Sequence, residues 1–101
     1  MGVSPLTLRI EFSPIAEDHV ADLSARDRAI VLEAAEKYLA EEPLAESRKR
    51  KPMRPNPVAP WELKLDHLRV YYDVIESAVV ILAVGTKLRN SVRIGGEVIK
   101  L

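Results

Sequence analysis

The sequence predicts an α+β fold: an N-terminal strand, a helical hairpin, then a mostly antiparallel β-sheet. Three features of the 101 residues carry that prediction. A short stretch near the start alternates apolar and polar residues. Two serine-headed segments follow, with apolar residues at helical spacing, and three strand-like segments crowd the second half. The order β-α-α-β-β-β places the helices together on one face of the sheet. The length allows one domain, residues 1–101, which buries about two-thirds of the surface its unfolded chain exposes.

Thr7-Leu8-Arg9-Ile10-Glu11-Phe12 alternates strictly, so Leu8, Ile10 and Phe12 share the buried side of a strand. Ser13-Pro14 ends it and opens a helix, serine as N-cap and proline at the first helical position, where its missing N–H costs nothing. Ala16, Val20 and Leu23 form that helix's buried stripe. Ser24 begins a second helix with Asp27 at capping-box spacing, and Val31, Ala34, Ala35, Tyr38 and Leu39 follow the amphipathic template. Pro43 forces an end before it. Residues 43–60 hold five prolines and five basic residues (Arg48, Lys49, Arg50, Lys51, Arg54), which predicts an ordered, irregular loop. Its basic run is either a solvated surface or a phosphate-binding arm. Strands are predicted at Trp61–Leu65, Leu68–Val74 and Ala78–Val84. The last is apolar on both faces, central in the sheet and ended by Gly85. A polar break at 87–90 leads to a Gly95-Gly96 turn and a short β-like tail.

Hydrophobic residues at 48% and charged residues at 30% describe a globular chain. Without cysteine there is no disulfide, zinc-thiolate site, iron–sulfur cluster or cysteine nucleophile. The longest apolar run, Ala78–Val84, is too short to span a bilayer, so no membrane partner is expected. No signal pattern opens the chain, and a cytoplasmic location is expected. His19 and His67 lack a second ligand at metal spacing, so no metal is expected. His67 is a turn residue or a proton shuttle beside the basic face. Gly95-Gly96 lacks the Lys-Ser/Thr of a P-loop.

The fifteen basic and fifteen acidic residues cancel, but not evenly along the chain. Residues 1–47 carry four basic and ten acidic side chains, and residues 48–101 carry eleven and five. The basic half either attracts a polyanion or simply attracts the acidic half. The hairpin 61–74 is more specific. A connection at Asp66-His67 places Leu63 opposite Val70, Trp61 opposite Tyr72 and Leu65 opposite Leu68, one continuous apolar face. The other face pairs Glu62 with Tyr71 and Lys64 with Arg69. A lysine directly across from an arginine is destabilising unless both splay into water or an anion lies between them. A phosphate suits that position, because arginine's fork matches its oxygens and lysine is a movable charge and proton donor. Tyr71 is expected to point outward beside Arg69, either stacking on a base, hydrogen-bonding a phosphate, or idle.

The segments Trp61-Glu-Leu-Lys-Leu, Leu68-Arg-Val-Tyr-Tyr-Asp-Val and Val79-Val-Ile-Leu-Ala-Val-Gly-Thr-Lys-Leu-Arg resemble the RelE/ParE toxin superfamily of bacterial toxin–antitoxin systems. The resemblance runs from the first strand to about Arg93. It implies a small antiparallel sheet flanked by an N-terminal helical hairpin, and an antitoxin partner. It also implies one of two activities. RelE-type members cleave messenger RNA on the ribosome without a metal or other cofactor, so ribosome and mRNA are partners; ParE-type members poison DNA gyrase. By the RelE pattern Lys64 and Arg69 are site residues, with Lys87 or Arg89 after the Val-Gly pair. Two positions depart from it: Glu62 stands where a second lysine is expected, and Arg93 where RelE has a tyrosine. The resemblance then assigns Arg69, helped by Arg89 and Arg93, to stabilising the phosphate, Lys64 or Lys87 to protonating the leaving oxygen, and the Arg48–Arg54 run to RNA backbone. Glu62 is the candidate base, or else a partner for Lys64 or Arg93.

Overall fold

Both serine caps form. In the computed structural model, which describes residues 7–101, strand β1 (Arg9–Phe12) runs into Ser13, whose hydroxyl accepts the N–H of Ala16 at 3.1 Å. Pro14 then opens helix α1 (Pro14–Ala21). Residues 1–6, which belong to the stretch read for a signal pattern, lie outside the described part. Ser24 caps helix α2 (Ala25–Leu39) by accepting the N–H of Asp27 at 3.1 Å. The reciprocal half of the capping box is replaced, because the Asp27 carboxylate reaches His67 instead. None of the helices described is long and apolar enough to cross a membrane.

Six further strands complete the fold: β2 (Arg50–Pro52), β3 (Trp61–Leu65), β4 (Leu68–Ile75), β5 (Ala78–Lys87), β6 (Val92–Ile94) and β7 (Glu97–Ile99). Their order is β2-β3-β4-β5-β6-β7, antiparallel throughout, with β1 added parallel to β5. Central β5 is therefore shared by three strands, as its two-sided apolar sequence predicts. Beta1 covers Ala78–Ile81 and β6 covers Gly85–Lys87. Between them the strand edge would be bare, and α1 closes it. Ser13 N–H donates to the Ile81 carbonyl at 2.9 Å, and Val84 N–H donates to His19 Nδ1 at 3.2 Å. His19 thus has a structural task, accepting a backbone N–H of β5 through Nδ1.

One face of the sheet packs on the helices. Val31, Ala34, Ala35 and Leu39 of α2 and Ala16 and Val20 of α1 meet Leu63, Leu65, Leu68, Val70, Tyr72, Val79 and Ile81. Tyr72 is fully buried and its hydroxyl donates to the Pro43 carbonyl at 2.6 Å. The opposite face is not open along its whole length. Ala59, Tyr71, Ala83, Val92 and Ile94 form a second, smaller core, with Met53, Val58, Leu82 and Ile99 packed on it. The proline-rich connector and the C-terminal hairpin supply that cover.

Two expectations change. The connector contains a strand, β2, because an edge strand needs ladder bonds on one side only and Pro52 ends it. Gly85 does not end β5, which continues to Lys87. A Cβ at Gly85 would lie 2.7 Å from the Arg93 carbonyl oxygen and 2.8 Å from Ile94 Cγ1, so the glycine admits β6 rather than a turn. Gly95 is needed for both reasons at once: its φ is +56° and a Cβ there would meet His19 Nε2 at 2.7 Å. Gly85→Ala is expected to destabilise the fold by about 1–3 kcal/mol through overpacking. The denaturant midpoint measures this, and an unchanged midpoint would mean that β6 sits farther from β5.

Candidate functional site

The site is built on the β3–β4 hairpin. Asp66 takes a left-handed backbone, φ +58°, which aspartate tolerates, and the two-residue turn fixes the register. The pairs are those the sequence predicts: Trp61 with Tyr72, Glu62 with Tyr71, Leu63 with Val70, Lys64 with Arg69, and Leu65 with Leu68. Leu63 and Val70 enter the helix-side core, so alternation sends Lys64 and Arg69 to the other face. Both are half-buried. Arg69 Nη1 donates to the carbonyls of Asp66 at 2.6 Å and Leu68 at 2.8 Å, which anchors the guanidinium beside the turn. Gly85 is Arg69's neighbour on β5 and puts no side chain next to it.

The two cations lie in a cleft of about 620 Å³ between the loop from Pro52 to Pro57, the Asn90–Val92 turn and the C-terminal residues Lys100 and Leu101. Lys51, Arg54, Lys64, Arg69, Lys87 and Lys100 line it, with one acidic side chain, Glu62. Among the described residues none of these seven makes an ion pair. Two unit charges of like sign about 5 Å apart repel by roughly 1 kcal/mol even in a water-like medium. An anion seated between them converts that repulsion into attraction. Chemically, the lining suits a polyanion such as a phosphodiester.

The remaining sequence-predicted residues divide by location. Lys87 ends β5, where its N–H donates to the His67 carbonyl at 2.8 Å and its ammonium to the Arg89 carbonyl at 3.3 Å. Arg89 itself is exposed at the turn and does not line the cleft. Arg93 belongs to the opposite side: its neighbours Val92 and Ile94 are buried in the second core, so alternation turns Arg93 toward the helix side of the sheet. That placement removes it from the cleft. Arg50 is corrected for a similar reason. It pairs with Leu63 and donates to the Tyr38 carbonyl at 2.9 Å and the Ala45 carbonyl at 2.8 Å, a cation at the C-terminus of α2. Lys49 lies over the Tyr38 ring, 5.4 Å from its centroid, also on the helix side. Arg48 is exposed and outside the cleft. Of the basic run, only Lys51 and Arg54 face it.

Tyr71 departs furthest from expectation. It is fully buried rather than outward, because Ala59, Ala83, Val92 and Ile94 cover that part of the sheet. Burial raises its pKa, and the Glu62 charge adds to the rise. Glu62 is 9% exposed and has no cationic partner among the described residues, neither Lys64 nor Arg93. Lys100 was not singled out by sequence reading. Only the Gly95-Gly96 turn hinted that the chain would return over this face.

His67 points the other way. Its Nε2 lies 3.1 Å from both carboxylate oxygens of Asp27 on α2, which makes it a clamp between hairpin and helix rather than part of the cleft. That hydrogen bond is the largest cause of a raised pKa.

Neither the scan of family models nor the search of curated proteins finds a match. The solved structures do. The crystal structure of the toxin–antitoxin complex RelBE2 from Mycobacterium tuberculosis contains a chain similar to this one at 28% identity and a TM-score of 0.69. The match covers 80% of this chain and 99% of that one. The strand, helix pair and mostly antiparallel sheet are a RelE-like α+β fold. In fold and in sequence the chain is thus similar to a chain of a RelBE toxin–antitoxin complex, which supports its resemblance to RelE-like toxins.

A raised pKa means that the His67–Asp27 pair stabilises fully below the ordinary value of 6.5 and loses its contribution as pH rises through the folded-state value. The effect on stability is small, since the pair is partly exposed and screened. An NMR titration is expected to place His67 above 6.5 in the native protein and lower in Asp27→Asn. Equal titration in both proteins would contradict the clamp.

Proposed function

We propose that the chain is the toxin of a toxin–antitoxin pair and cleaves messenger RNA on the ribosome. The observation that carries this reading is the cross-strand pair Lys64/Arg69, without acidic partners among the described residues, on the wall of a cleft with four further basic side chains and one acidic side chain. Cleavage of this kind needs a base for the ribose 2′-hydroxyl, neutralisation of the five-coordinate phosphate and a proton for the departing 5′-oxygen. The 2′-oxygen forms a bond to phosphorus as the bond from phosphorus to the 5′-oxygen breaks. Glu62 takes the 2′-hydroxyl proton, and Lys64 or Lys87 gives one to the 5′-oxygen. Arg69, already fixed by two carbonyls, presents its remaining N–H groups to the phosphate oxygens, so little reorganisation is needed in the transition state. Lys51, Arg54 and Lys100 hold neighbouring phosphates, contacts that position the strand without reading its sequence. The partners in this reading are mRNA, the ribosome and an antitoxin that silences the cleft. The reaction runs in the cytoplasm, where ribosomes are.

A gyrase-poisoning, ParE-like activity is the second reading. Arg93 favours it: the position where RelE has a tyrosine lies on the far face of the sheet, so the cleft lacks that group. Programmed ribosomes with RNA-end mapping separate the two. Wild-type protein is expected to cut message, and Arg69→Ala to lose about 10²–10³-fold in rate with the fold retained. Arg93→Ala is expected to keep its rate. Intact message at high protein concentration, together with inhibited supercoiling by gyrase, would overturn the ribonuclease reading in favour of the second.

A further inference from the structure

Two incomplete polar groups sit side by side next to the cleft. Glu62 is nine-tenths buried, lines the cleft, and forms no ion pair with any described cation although six line the same space. Its cross-strand partner Tyr71 is fully buried, and among the described residues its phenolic hydroxyl has no partner in good hydrogen-bond geometry, although the Glu62 carboxylate is near enough to contribute to its raised pKa. A phenylalanine would fill that second core without the cost of an orphaned hydroxyl. The hydroxyl stays protonated, because burial and the adjacent carboxylate both oppose its ionisation. A donor without an acceptor thus faces the carboxylate directly across the strand pair.

We infer that Tyr71 is a positioning residue, whose hydroxyl holds one oxygen of Glu62 through a small turn of that side chain while the other oxygen accepts the ribose 2′-hydroxyl of a bound strand. The inference rests on reading the cleft as a phosphodiester site. A carboxylate repels phosphate, so what meets it must be a hydrogen-bond donor close to the phosphorus. In RNA the 2′-hydroxyl is that donor. In DNA a C–H takes its place and leaves a desolvated carboxylate unpaired. The cleft therefore selects RNA by its sugar.

The test is fluorescence anisotropy with three labelled single strands of one sequence: RNA, DNA and 2′-O-methyl RNA, which keeps the ribose oxygen but lacks the donor. Wild-type protein is expected to bind RNA about tenfold more tightly than either of the others, the worth of one charge-assisted hydrogen bond. Glu62→Gln should lose the preference while binding DNA at least as well as wild type. Tyr71→Phe should lose roughly half of the preference on a logarithmic scale at unchanged DNA affinity; a merely structural role would weaken all three strands alike. If that variant fails to fold, Glu62→Asp, whose carboxylate is drawn back from the hydroxyl, should show the same partial loss. An unchanged RNA/DNA ratio in these variants, equal binding of RNA and DNA by wild type, or a preference that follows the base instead of the sugar overturns the inference. Binding of neither strand overturns it together with the phosphodiester reading, whereas equal binding of both overturns it alone.

Discussion

The pairing register of β3 and β4 is the constraint on which the rest depends. A two-residue turn at Asp66-His67, with one left-handed backbone, fixes which side chains share a face. With β4 held by β5, a slip of one residue in β3 would send Leu63 toward the cleft and turn Lys64 under the helices. The apolar pairs resist this slip, since Leu63, Leu68, Val70 and Tyr72 are all fully buried against α1 and α2. The helix-side core thus holds two cations against each other on the opposite side. In the proposed reading, repulsion there is the cost of presenting an anion site, and the ladder and the core on the other face outweigh it.

The same hairpin ties both sides of the sheet together. On the helix side His67 reaches Asp27. On the cleft side the Asp66 carbonyl holds Arg69, and the His67 carbonyl holds the N–H of Lys87. The Arg69 guanidinium and the Lys87 backbone are therefore held by a turn that is itself clamped to a helix. In the proposed reading, a guanidinium held in this way needs little reorganisation to meet a phosphate. The long basic side chains of the loop, Lys51 and Arg54, have no comparable anchors among the described hydrogen bonds and suit a looser contact with neighbouring phosphates.

Much of the fold was legible because its local rules agree. Ser13-Pro14 and Ser24 mark helix starts by capping chemistry, and the hairpin register follows from its turn. Both are short-range. What the sequence left unread depends on contacts between distant segments. Tyr71 alternates with buried residues and so reads as outward, yet residues 53–59 and 92–99 fold over it. Arg50 and Lys49 look like members of one basic arm, but the α2 C-terminus draws one and the Tyr38 ring the other. Arg93 looked like part of the cationic face because it follows Lys87 and Arg89. The strand β6 reverses that, since its Val92 and Ile94 claim the cleft side for packing. Gly85 reads as a terminator, whereas its lack of a side chain lets β6 approach β5, a function visible only with both strands present.

The central claim is that phosphate meets the chain at one place, between Lys64 and Arg69 on the side of the sheet away from the helices. Two-dimensional NMR of the arginine side-chain and backbone N–H groups during titration with a short single-stranded RNA tests it most directly. The account predicts progressive shifts at Arg69 Nε–Hε and at the backbone of Lys64, Lys87 and Lys51, with Arg50 and Arg93 unmoved. Shifts centred on Arg93, Arg50 and the α2 helix, with Arg69 silent, would contradict it.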